Sequence, residues 1–105
     1  MVEIISAIGE DPTRDELKAT PLKVAEAFAE FFKGVGVDAK TALADTFAAE
    51  HNEVVILKDI EFVSMCEHHL LPFTGIAHIA YLPDDRVVGL GRLPRLVEII
   101  AARPQ

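Results

Sequence analysis

With a single cysteine, Cys66, the chain can form no internal disulfide. A lone thiol with histidines close by in sequence suits a reducing compartment and metal or catalytic chemistry. Basic residues are scarce as well: 10 Lys and Arg face 17 Asp and Glu, for a net charge of -7. Sequence-independent binding to nucleic acid draws on clustered cations, so that class is excluded, and an anionic small molecule would need a local basic pocket. No apolar run approaches the ~18 residues of a membrane span, and the opening Met1-Val2-Glu3-Ile4-Ile5 lacks the basic stretch of a secretory signal. The expected location is the cytoplasm, with no membrane and no nucleic acid among the partners. Repeats, low-complexity tracts and linkers are also missing.

What the sequence does hold is apolar: half of its 105 residues are hydrophobic and 26% are charged, the composition of one globular domain. A chain of this size buries about 60 to 70% of its unfolded surface, so a partner subunit could supply part of the core.

The first third reads as helical. Val2, Ile4, Ile5 and Ile8 fall on one side of a first helix that ends at Gly9, a residue suited to a left-handed cap. Thr20 is a candidate N-cap for a second helix with Pro21 in its first turn. Its stripe of Val24, Ala25, Phe28, Phe31 and Phe32 reads as core and stops before Gly34. A shorter helix is expected after Asp38, with Leu43 and Phe47 on one face, until Glu50, His51 and Asn52 break the pattern.

From Glu53 the period changes to two. Val54, Ile56, Lys58 and Ile60 alternate with Val55, Leu57 and Asp59, which predicts a strand, and a second strand is expected from about Thr74 to Leu82. Pro83-Asp84-Asp85-Arg86 predicts a turn, followed by a short extension at Val87 and Val88. The last element opens at Pro94 as an amphipathic helix with Leu93, Leu96, Val97, Ile100 and Ala101 on one stripe, and ends at Arg103-Pro104-Gln105. The class is α+β.

The chemistry concentrates in Ser64-Met65-Cys66-Glu67-His68-His69, between the two predicted strands. Cys66 and His69 are spaced to lie on one side of a helical turn, and thiolate with imidazole is a common zinc donor set. The competing reading makes Cys66 a small buried hydrophobe and His69 a hydrogen-bonded histidine. His68 either points away from its neighbour or serves as a general acid and base, while Glu67 reads as structural. His78 falls in the second strand and reads as a packed or edge histidine; His51 reads as a loop residue and Met65 as core.

The segment Ser64 to Phe73, Ser-Met-Cys-Glu-His-His-Leu-Leu-Pro-Phe, resembles the signature of the GTP cyclohydrolase I family. Collinear matches run through Ile8-Gly9-Glu10-Asp11-Pro12, Thr20-Pro21, Val55 to Ile60, Gly75-Ile76-Ala77-His78, Tyr81-Leu82-Pro83 and Gly89-Leu90 to Arg95. The resemblance spans nearly the whole chain and about the first half of the family's core. It implies amino-terminal helices over residues 1–52, then the first half of a tunnelling fold over residues 53–105, two antiparallel strands plus a helix, forming one structural unit. It also implies a zinc ion with Cys66 and His69 as two of its three protein ligands. The third, a cysteine, belongs to a family segment with no counterpart up to Gln105, so the zinc site is expected to be incomplete here.

The reaction implied is hydrolysis of GTP to 7,8-dihydroneopterin triphosphate and formate, the first step of tetrahydrofolate and pterin synthesis. A zinc-activated water attacks C8 of the guanine, and His68 would move protons near that ring. The triphosphate would meet Arg95, Arg92 and Lys23. Arg92 stands where the family usually has Lys, exchanging a compact ammonium for a planar fork. Gly91 replaces a serine, Glu16 a frequent glycine, Pro94 a small residue and Lys23 a common arginine. A helix opening at Pro94 would aim its amino end at the same anion, whereas without the resemblance the arginines read as a solvated helix start. The family assembles as a homo-oligomer, typically a decamer. Relatives that reduce a nitrile or make pyruvoyl tetrahydropterin do not share the Cys66 to His69 motif. The alternative for this polypeptide is a catalytically inactive fragment, or an assembly or binding module of the same fold. Two strands without companions are expected to leave an edge open to pairing and aggregation.

Overall fold

The computed structural model describes residues 1–50 and 52–105; His51, read above as a loop residue, lies outside them. By internal contacts the chain divides into two units, Met1–Phe31 and Phe32–Gln105.

The first unit holds α1 (Val2–Ala7) and α2 (Thr20–Phe31). As expected, α1 gives way to Gly9 at φ +88°, where the Gly9 N–H donates to Ser6 O at 3.0 Å. Asp11 closes the following turn by accepting the Thr13 N–H at 2.8 Å and its hydroxyl at 2.7 Å. These bonds hold its carboxyl below the ordinary aspartate value. The apolar stripes are wetter than their periodicity predicts. In α1 Ile5 is buried but Ile8 is 72% exposed, and in α2 no residue is buried, with Phe31 46% exposed. Helices of six and twelve residues bury little apolar surface on their own.

The second unit carries the sheets. Asp38 caps a 3-10 turn, Ala39–Leu43, by accepting the Lys40 N–H at 3.0 Å. Phe47, expected on the same helical face as Leu43, instead lies in β1 (Thr46–Ala48), which pairs antiparallel with β4 (Arg86–Val88). Arg86 secures that ladder by donating to Thr46 Oγ1 at 2.6 Å and to Thr46 O at 2.8 Å.

The main hairpin joins β2 (Val55–Met65) to β3 (Pro72–Tyr81), antiparallel from Val55↔Tyr81 to Met65↔Pro72. Its alternation is broken. The register shifts between Leu57 and Ile60, so Val55 and Leu57 face inward before the shift and Ile60, Phe62 and Ser64 after it. The extra residue is accommodated at Asp59, whose φ is +59°, and the Asp59 N–H donates to His78 Nδ1 at 3.0 Å. His78 therefore secures a β-bulge from an exposed position in β3, in keeping with an edge histidine.

The hairpin packs against α3 (Arg92–Ala101). Their shared core contains Ile60, Met65, Leu93, Ile99 and Ala101, with Ala42 contributed by the 3-10 turn. Helix α3 opens two residues before the expected Pro94, and Ile99 is buried while Ile100 is 41% exposed. The helix contacts both β2 and the 3-10 turn, so its buried arc is set by two partners instead of one stripe. Gly34 explains the close approach: a Cβ there would sit 2.1 Å from Ile99 O. Arg103 finishes the packing by donating to Gly34 O at 3.1 Å and Val37 O at 2.7 Å. The fold class is α+β, as expected.

Candidate functional site

Ser64 and Met65 complete β2, so the loop between the strands begins at Cys66. Ser64 is 2% exposed and donates its hydroxyl to Ala101 O at 2.6 Å, tying the end of β2 to the end of α3. The same tie continues through the backbone. The Gln105 N–H donates to Met65 O at 3.0 Å and the Glu67 N–H to Gln105 O at 2.8 Å. The tight turn is then closed by Leu70 N–H on Cys66 O at 3.0 Å and Cys66 N–H on Leu71 O at 2.9 Å. Leu70 adopts φ +54°, a left-handed conformation that costs a non-glycine residue about 1–2 kcal/mol. Strain of this kind is kept where surrounding bonds over-determine the backbone.

This turn directs backbone donors at the Cys66 sulfur. Hydrogen bonds from the backbone at Leu71 and then His69 lower the thiol below its ordinary value, against a smaller opposing effect of burial. The His69 N–H lies 3.3 Å from Sγ, and His69 Nδ1 lies 4.0 Å from the same sulfur. A zinc ion bonds sulfur at about 2.3 Å and imidazole nitrogen at about 2.0–2.1 Å, so one ion can reach both atoms across that gap. The donor pair therefore fits zinc as two ligands. Among the described residues, no group of three or more His, Cys, Asp or Glu stands ready to hold a metal.

His68 is exposed beside this pair, its ring centroid 6.3 Å from that of His69 at an interplanar angle of 47°. Glu67 is exposed, and its backbone N–H makes the tie to Gln105 O.

The cations assigned to phosphate are placed differently. Arg92 is the first residue of α3 and forms an ion pair with Asp45. Arg95 donates to Glu98 Oε2 at 2.7 Å on the same helix. The two arginines also line separate hollows: Arg92 one of about 390 Å³ with Asp45 and Phe47, Arg95 one of about 140 Å³ with Gly34 and Glu98. Lys23 belongs to the first unit, exposed in α2. Sequence reasoning missed Asp45 as the partner of Arg92, since nothing local connects the two. The spacing of Arg95 and Glu98 along one helix was a usable signal for their pair.

Comparison with known proteins identifies the family. The family model for GTP cyclohydrolase I matches residues 1–105. A GTP cyclohydrolase 1 of Leifsonia xyli is 55% identical over 107 residues, covering 100% of this chain and 56% of that protein. One of Rhodopirellula baltica is 57% identical over 103 residues, covering 98% of this chain and 45% of that protein. A third, of Thermobifida fusca, is 54% identical over 105 residues, covering 98% of this chain and 51% of that protein. The chain spans about half the length of these curated relatives. It belongs to the GTP cyclohydrolase I family.

Proposed function

We propose that this chain carries part of the active site for hydrolysis of GTP to 7,8-dihydroneopterin triphosphate and formate. The observation that supports this most is the Cys66–His69 turn, with a thiol sulfur and an imidazole nitrogen 4.0 Å apart and His68 beside them. Cys66 and His69 would hold zinc, and the bound ion would supply Lewis acidity and an activated water for attack on the purine.

The chain's own residues have distinct tasks in this reading. The backbone hydrogen bonds at Leu71 and His69 favour the Cys66 thiolate, the form a metal needs. His68, exposed beside the pair, shuttles protons at the guanine ring, because an imidazole can both donate and accept one. Arg92 and Arg95, and in the first unit Lys23, are the cations this reading offers to the triphosphate. The setting is cytoplasmic and the working form a homo-oligomer, a decamer by analogy with the family.

A second reading is favoured by one observation. Among the described residues Cys66 and His69 have no third metal donor grouped with them, which suits an inactive fragment or a binding or assembly module of the same fold. Formate release from GTP, measured beside zinc content, separates the readings. The hydrolase predicts formate that requires zinc and falls by about 100-fold or more in His68→Gln, the scale of a lost acid–base group. Zinc-loaded chain that makes no formate would favour the second reading, an inactive fragment or a module.

A further inference from the structure

Resting on the reading of Arg92 as a phosphate contact, we infer that Asp45 sets the affinity of that contact: its carboxylate holds the Arg92 guanidinium and an incoming polyphosphate must displace it.

Three observations converge on Asp45. Its carboxylate is the ion-pair partner of Arg92, and both side chains are accessible, 46% exposed for Arg92 and 57% for Asp45. Its backbone is anchored at the same place: the Gly89 N–H donates to Asp45 O at 3.3 Å, and the Arg92 N–H donates to Gly89 O at 2.8 Å. Finally, Asp45 and Arg92 are the charged members of one hollow of about 390 Å³, whose other lining residues are Phe47, Gly89, Leu90 and Gly91. The cation that would receive phosphate thus shares its hollow with a fixed anion.

The consequence is competition. A guanidinium binds carboxylate and phosphate through the same N–H edges, so Asp45 reduces the charge offered to a ligand and occupies part of the fork. An exposed pair is weak and screened by salt, which makes it displaceable by a polyanion, where a buried pair would not be. Arg95 differs in kind: its partner, Glu98, is a helical neighbour one turn away instead of a residue from another segment of the chain.

Isothermal titration of the full chain with inorganic tripolyphosphate at low ionic strength tests this, using wild type, Asp45→Asn, Arg92→Gln and the double variant. Asp45→Asn is expected to tighten binding about two- to fivefold, the range of an exposed ion pair. That gain should disappear in the Arg92→Gln background and shrink in high salt. A merely structural Asp45 would give loss of affinity, not a gain. Circular dichroism verifies each fold, and Asp45→Ser replaces the Asn variant if that one does not keep the wild-type spectrum. If Arg92→Gln weakens binding while Asp45→Asn leaves it equal or weaker, the inference fails and the phosphate reading stands. If Arg92→Gln changes nothing, or no form binds tripolyphosphate, the phosphate reading fails and the inference with it.

Discussion

The Cys66–His69 turn and the mouth of α3 are both candidate ligand sites, yet they are built on opposite plans. In the turn, backbone hydrogen bonds at Leu71 and His69 favour the thiolate, and His69 Nδ1 faces the same sulfur. At α3, each arginine already has a carboxylate, Asp45 on Arg92 and Glu98 on Arg95. One site is prepared for a cation by groups that stabilise negative charge. The other is partly neutralised in advance, so an anion there must compete. The difference teaches that residue type alone does not rank sites; the charge left over after internal pairing does.

The largest effect expected bears on the frame beneath both sites. Leu93, directly after Arg92, is 3% exposed, and Leu93→Ala should lower stability by about 2–5 kcal/mol in urea denaturation. A loss below about 1 kcal/mol would mean that α3 is not docked as described. Ser64→Ala comes next, at about 0.5–1.5 kcal/mol, because it removes the hydroxyl that binds Ala101 O at 2.6 Å. It should also weaken zinc binding by the folded protein. Unchanged zinc affinity would show that the turn holds itself without the tie to α3.

Glu98→Gln probes the other side and is expected to cost about 0.3–0.5 kcal/mol, because its pair with Arg95 is half exposed. A larger cost would make the arginine end as firmly built as the turn. The Cys66 thiol sharpens the contrast by its pH profile. Since its pKa is lowered, the thiolate fraction of the metal-free protein, read by alkylation rate, should rise at lower pH than the ~8.5 midpoint of an unperturbed cysteine. A midpoint at or above that value would mean that the backbone donors do not act on the sulfur.

The turn was legible in the sequence because its geometry is local. Cys66 and His69 are three residues apart, and the strands that flank them announce themselves by period. The bulge was hidden because Val54, Val55, Ile56 and Leu57 are all apolar, so either face of β2 read equally well. The shift of parity at Asp59 depends on its register against β3. Strand β1 was missed for a similar reason: three residues give no period, and their partner β4 lies far along the chain. Asp45 shares that fate, since its meaning comes from the fold that brings it to Arg92.

Exposed apolar residues on the hairpin, Ile56 at 56%, Val63 at 63% and Ile76 at 59%, extend the contrast to association. Surfaces of this kind mark contact with other chains or a tendency to aggregate. Light scattering on the purified chain should therefore show self-association, and a monodisperse monomer would count against it.

The central claim is that the Cys66–His69 turn binds a metal through sulfur and imidazole together. Titration with cobalt(II), followed by absorption, tests it most directly because a thiolate bonded to the ion adds its own charge-transfer band. The account predicts that band in the wild type, its loss in Cys66→Ala and its weakening in His69→Ala. A cobalt spectrum that Cys66→Ala leaves unchanged would contradict it.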